Sequence, residues 1–120
     1  MPPFPRRRVA VATMDPPGGL LFCPRLHETV EMVGKRWSGA IVYVLLNGGP
    51  MRFSEIANAV PDLSDRLLSE RLKELERRGI VERRVHEGSP VRVEYDLTER
   101  GRDLRAAIAE LKAWGDRWLL

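Results

Sequence analysis

Residues 54–79 read SEIANAVPDLSDRLLSERLKELERRG, and the way this stretch divides decides the fold. Ser54 is a residue type that caps helices. Ile56, Ala57 and Val60 recur on one face up to Pro61, whose ring cannot continue the helix. Ser64 then opens a second helix, in which Leu67, Leu68, Leu72 and Leu75 form one apolar stripe before Arg77, Arg78 and Gly79 close it. Only Pro61, Asp62 and Leu63 separate the two. A short helix joined by so tight a turn to a longer one is the helix-turn-helix arrangement.

Working outward toward the N-terminus, Pro24 suits the first turn of a helix, because its missing N–H would be unpaired there anyway; Leu26, Val30 and Val33 follow at helical spacing up to Gly34. A second helix runs from Trp37 to Leu46 with Trp37, Ala40, Ile41, Val44 and Leu45 on a broad apolar face, and Asn47-Gly48-Gly49-Pro50 stops it. Residues 51–53 form a short extended link. Toward the C-terminus, Ile80 to Val85 is rich in β-branched residues, and Val91, Val93, Tyr95 and Leu97 alternate with Arg92, Glu94 and Asp96. His86-Glu87-Gly88-Ser89-Pro90 supplies the turn between two strands. Thr98 caps a last helix with Leu104, Ile108, Leu111, Trp114 and Trp118 at helical spacing. At 1.5 Å per residue its length is roughly 30 Å, more than so small a domain needs to cover.

The expected fold class is therefore mainly α with a small β-hairpin (α+β), a winged helix-turn-helix. A flexible arm at 1–20 precedes one domain at 21–120, with the helix-turn-helix at about 54–79, the wing at about 80–97 and the last helix at about 98–120. The arm is inferred from Pro2, Pro3, Pro5, Pro16, Pro17, Gly18 and Gly19 with few apolar groups to repay ordering. A chain of 120 residues buries one core, not two.

Bulk charge says little about partners. Of 20 Lys and Arg, three are Arg6, Arg7 and Arg8, and of 17 Asp and Glu one is Asp15, so from Leu21 onward seventeen bases face sixteen acids. A case for nucleic acid must come from where cations sit. The single cysteine, Cys23, excludes an internal disulfide framework and fits a reducing, cytoplasmic interior. No stretch approaches the roughly 20 apolar residues that span a bilayer, and Val9-Ala10-Val11-Ala12 is too short for the apolar region of a signal peptide.

In a helix-turn-helix the second helix lies in the major groove and shows its N-terminal, solvent-facing residues to base edges. Packing Leu68, Leu72 and Leu75 inward leaves Asp65, Arg66, Ser69, Glu70 and Lys73 outward, with Ser64 beside the DNA backbone. Arg66 can fork onto guanine O6 and N7, Ser69 can bond either base type, and Lys73 can neutralise phosphate. The mixed charge of this helix equally suits a plain solvated face, and context decides between the two. A wing carrying Arg83, Arg84, His86 and Arg92 follows directly, its cations spaced for phosphates or an adjacent minor groove.

These residues resemble the HxlR-type winged helix-turn-helix regulators, which share a MarR-like DNA-binding fold. The segments that carry the resemblance are Cys23-Pro24, Gly34-Lys35-Arg36-Trp37, Arg52-Phe53-Ser54-Glu55-Ile56, Leu67 through Glu76, Gly79 through Val85, and Val93 through Gly101. The resemblance implies a homodimer built from the first and last helices, with Leu104, Ile108, Leu111, Trp114 and Trp118 at the interface. It implies binding to a pseudo-palindromic operator in double-stranded DNA, as a repressor or less often an activator. The wing departs from the family pattern, which has an aromatic residue in place of His86 and two successive prolines where this chain has Pro90 and Val91. Several such proteins sense oxidants or electrophiles through a cysteine just before the proline that opens the first helix, where Cys23 stands. The positive end of a helix dipole activates a thiol there, which makes Cys23 a candidate redox sensor and an oxidant or small molecule a candidate effector; a half-buried, unreactive cysteine is the competing reading.

Other functions fit less well. A winged helix acting as a protein-interaction module without operator binding is the alternative. No nucleophile, base and orienting acid converge, and no phosphate loop is present, so an enzyme is not expected. Cys23, His27 and Glu31 share one helix end without paired ligand spacing, so neither a metal nor a cofactor is expected.

Overall fold

The computed structural model describes residues 21–119; the arm expected at 1–20 lies outside them. Six helices and one hairpin follow in order: α1 (Pro24–Val33), α2 (Ser38–Gly48), α3 (Phe53–Ala59), α4 (Asp65–Arg77), β1 (Val81–His86), β2 (Arg92–Leu97), α5 (Glu99–Arg102) and α6 (Arg105–Trp118). The mainly α fold with a two-stranded antiparallel hairpin is as the periodicities predict.

The core gathers Ile41, Val42 and Leu45 of α2, Ile56 of α3, Leu68, Leu72 and Leu75 of α4, and Ile80, Val81 and Leu97 around the hairpin. Truncating one such leucine typically costs 2–5 kcal/mol. α2 is central because Ile41, Val42 and Leu45 are all at most 2% exposed. α1 is its opposite, with no buried residue; only Met32 and Val33 at its end pack against the core.

Three sequence expectations change in detail. Ser54 is not the cap of α3: Arg52 holds the cap position, and Glu55 Oε1 reaches back to accept from the Arg52 N–H at 2.8 Å. The Glu55 carboxylate thus reaches back to the N–H of the cap residue itself, whereas a serine cap would accept from an N–H in the first turn that follows it. The link at 51–53 does more than connect, since Met51 and Tyr95 exchange backbone hydrogen bonds of 2.9 and 2.8 Å and fasten the start of α3 to the wing. The single helix expected at about 98–120 is two. Leu104 N–H bonds to Gly101 three residues back at 3.1 Å, and this tighter turn separates α5 from α6. Leu104 then packs on the core and Ile108 is 7% exposed within it.

Gly101 is required where α5 crosses the wing, because a Cβ there would lie 2.2 Å from the Ile80 carbonyl oxygen. Thr98 caps α5 through its Oγ1, which accepts from Gly101 N–H at 3.1 Å and donates to the Gly79 carbonyl.

Candidate nucleic-acid interface

The longer helix of the pair forms as its sequence dictates. Ser64 Oγ accepts from the Leu67 N–H at 3.2 Å. At the far end Gly79 takes φ 75°, while its N–H and that of Ile80 bond back to Glu76 and Leu75 at 3.0 and 2.9 Å, a Schellman closure that favours glycine. With Leu68, Leu72 and Leu75 buried, Asp65, Arg66, Glu70 and Lys73 are exposed, Ser69 is half-buried, and all share one face with Ser64 at its start. The Arg66 side chain is 91% exposed and only 3.7 Å contact with Glu70 restrains it. An exposed pair of this kind is worth a few tenths of a kcal/mol, so Arg66 is free to leave it. Lys73 has no ion-pair partner among the described residues.

The four wing residues grouped by the sequence do not behave alike. Register pairs Glu82 with Asp96, Arg84 with Glu94, and His86 with Arg92, and side chains directly opposite share a face. Charge on that face is largely spent internally. Arg84 Nη2 lies 2.5 Å from Glu82 and 3.1 Å from the buried Asp96, and His86 Nε2 lies 2.7 Å from Glu94 Oε1. The Glu82 hydrogen bond, with the charges of Glu82, Asp96 and Glu94, raises the Arg84 pKa above the ordinary guanidinium value. Arg83 and Arg92 are exposed and have no ion-pair partner among the described residues, but they project from opposite faces of the hairpin.

One candidate was not singled out from sequence. Arg52 is exposed at the cap of α3, where the first helix of a helix-turn-helix crosses the phosphate backbone. A cation directly before the first helical residue is the available signal, and a cap at Ser54 would leave that cation outside the helix start.

Cys23 is the cap residue of α1, half-buried, and its Sγ accepts from the Leu26 N–H at 3.4 Å. His27 packs against the Phe22 ring with centroids 5.5 Å apart. Neither His27 nor Glu31 joins a metal-binding cluster among the described residues. Of the residues expected at a subunit interface, Leu104 and Ile108 pack within the protomer, whereas Leu111, Trp114 and Trp118 are about three-fifths exposed along α6. Phe22, Leu26 and Val30 are exposed to a similar degree on and beside α1.

Comparison with known proteins agrees with this geometry. The HxlR-like helix-turn-helix family model matches residues 32–120. The chain is 50% identical over 98 residues to the HTH-type transcriptional regulator YvaP of Bacillus subtilis (strain 168), covering 82% of this chain and 90% of YvaP. To the HTH-type transcriptional regulator YodB of the same organism it is 46% identical over 100 residues, covering 83% and 88%. The solved reduced form of YodB has a TM-score of 0.74 at 45% identity, covering 82% of this chain and 96% of that one. YodB has also been solved diamide-treated and quinone-bound. The oxidized form of the redox regulator HypR has a TM-score of 0.73 at 38% identity, covering 79% and 96%. These relatives regulate transcription and are not enzymes. The chain accordingly belongs to the HxlR-like helix-turn-helix family of DNA-binding transcriptional regulators.

Proposed function

We propose that this protein is a cytoplasmic repressor that binds a pseudo-palindromic operator as a homodimer and responds to oxidants or electrophiles through Cys23. The observation that carries the operator reading is the outward row of Ser64, Asp65, Arg66, Glu70 and Lys73, all exposed, with the half-buried Ser69 among them, on a helix whose other face is locked by three buried leucines. Base readout needs that rigidity, because a bidentate arginine discriminates only when its backbone is fixed. Lys73, Arg52, Arg83 and Arg92 are cations available for phosphate.

Support for the dimer comes from the exposed apolar residues of α1 and α6. Leu26, Val30, Leu111, Trp114 and Trp118 are each more than half exposed, and large apolar side chains left in water on two helices are what a second copy would cover. Support for the switch comes from the position of Cys23 at the start of α1 and from relatives solved in diamide-treated, quinone-bound and oxidized forms. With one cysteine per chain, a two-electron oxidant would join two subunits or attach a small thiol, and a quinone would add to sulfur.

Footprinting the promoter of the neighbouring divergent gene tests the operator reading. A protected two-fold site whose affinity falls with salt is expected; equal affinity for all sequences would favour a protein-interaction module instead. Diamide is expected to change operator affinity in the wild type and not in Cys23→Ser, and an identical response in both would remove the thiol switch.

A further inference from the structure

We propose that a polar clamp between α4 and the turn joining α1 to α2 sets the half-site spacing this protein accepts, with Arg71, Glu74 and Lys35 as positioning residues. The inference rests on the dimeric operator reading given above.

None of these side chains faces the DNA in that reading, yet they are held in defined contacts. Arg71 Nε donates to the Arg36 carbonyl at 2.8 Å, and its side chain is 14% exposed, the least of any cation in an ion pair among the described residues. Lys35 Nζ lies 2.8 Å from Glu74 Oε2, and Arg71 Nη1 lies 4.0 Å from Glu74 Oε1. One turn further, Arg78 Nη1 meets Glu28 Oε2 of α1 at 2.9 Å. The turn they grip is strained: Trp37 is the one non-glycine residue among those described with positive φ, at 74°, a conformation costly for a bulky side chain. Neighbouring contacts must hold it there, and the carbonyl just before it is the one Arg71 binds.

The geometric consequence follows from how weakly α1 is otherwise held. It buries no residue, so apolar packing defines its angle poorly, and the links from residues 28, 35 and 36 to α4 supply much of the definition. Half-site spacing on DNA is the distance between the two recognition helices of a dimer. If α1 joins its copy, the path from interface to recognition helix passes through α1, the turn and these links. One base pair of spacing is about 3.4 Å of translation with about 34° of rotation, so slack in the clamp relaxes the preference.

The test measures affinity of full-length protein for operators whose half-sites are moved by minus one, zero and plus one base pair. Wild type is expected to prefer one spacing by about tenfold, comparable to one mismatched pair. Arg71→Met, which keeps the stem and loses the donors, and Lys35→Met, an exposed change that does not threaten folding, are expected to flatten the preference to within about threefold. Lys35→Arg should retain it. A wild type indifferent to spacing, or variants whose spacing profile stays sharp, would overturn the clamp. Arg66→Ala separates the two levels: weaker binding at every spacing upholds the operator reading whatever the clamp variants do, and unchanged binding at every spacing removes that reading and the clamp with it.

Discussion

α4 and the wing carry similar mixtures of acid and base, yet they present them in opposite ways. On α4 the acidic and basic side chains of the outward face stand beside one another at helical spacing, and Arg66 and Glu70 meet only loosely. On the hairpin the same residue types lie 2.5–3.1 Å apart, Arg84 against Glu82 of its own strand and against Asp96 across the ladder, and His86 against Glu94 across it. Charge identity is therefore a poor guide to what DNA would meet. What matters is whether the backbone gives a basic side chain a closer partner than phosphate, and the strands of the hairpin do so for Arg84 through Glu82 and Asp96 and for His86 through Glu94.

The largest effect comes from breaking the scaffold behind α4. Leu72→Ala, at a side chain 1% exposed, is expected to lower unfolding free energy by 2–5 kcal/mol in urea denaturation and to abolish operator binding with it. A smaller change would show that α4 is less firmly seated than its buried stripe implies. Next, Arg66→Ala is expected to cost about 1–3 kcal/mol of discrimination at one base pair, measured as affinity on single-substituted operators. If all substitutions stay equally weak or equally strong relative to wild type, Arg66 is not a base reader.

The wing sharpens the comparison at lower amplitude. Arg83→Ala and Arg92→Ala are each expected to reduce the slope of log affinity against log salt by about 0.9 per lost phosphate contact, whereas Arg84→Met should leave that slope unchanged and slightly lower the thermal midpoint instead. A reduced slope in Arg84→Met would show that DNA pulls the guanidinium away from Glu82 and Asp96. The smallest effect concerns Glu74. The Lys35 hydrogen bond, aided by the charges of Lys35, Arg71 and Arg78, lowers its pKa below 4.5. A carboxyl lowered in the folded state contributes stability above its ordinary value and loses it as pH falls through the folded value. Stability of the wild type relative to Glu74→Gln should thus be greatest near neutral pH, by under about 1 kcal/mol for so exposed a pair, and vanish in acid below the lowered value.

Much of this could be read directly from residue order. Ser64, Gly79, Leu68, Leu72 and Leu75 act within one or two helical turns, and their roles follow from local hydrogen bonding and periodicity. The cap of α3 falls at Arg52 and not at Ser54 because Ser54 and Glu55 can each serve a helix start and only backbone geometry distinguishes them. The break at Leu104 was invisible because nothing at residues 102–104 forbids a helix; packing of Leu104 and Ile108 against the core decides it. For Arg84 and His86 a signal existed in the period-two alternation of Glu82, Arg84, His86 against Arg92, Glu94, Asp96, but it becomes an ion-pair pattern only once the register is known.

Sequence alone thus determined the helix pair, the wing and the outward row from Ser64 to Lys73, because caps, breakers and apolar spacing act over a few residues. Tertiary structure alone decided which cations remain available, which apolar residues of α6 stay on the surface, and that Lys35 and Arg36 meet Arg71 and Glu74. Those partners lie more than thirty residues apart in the chain, and no local rule of spacing or propensity brings them together; only the packed core does.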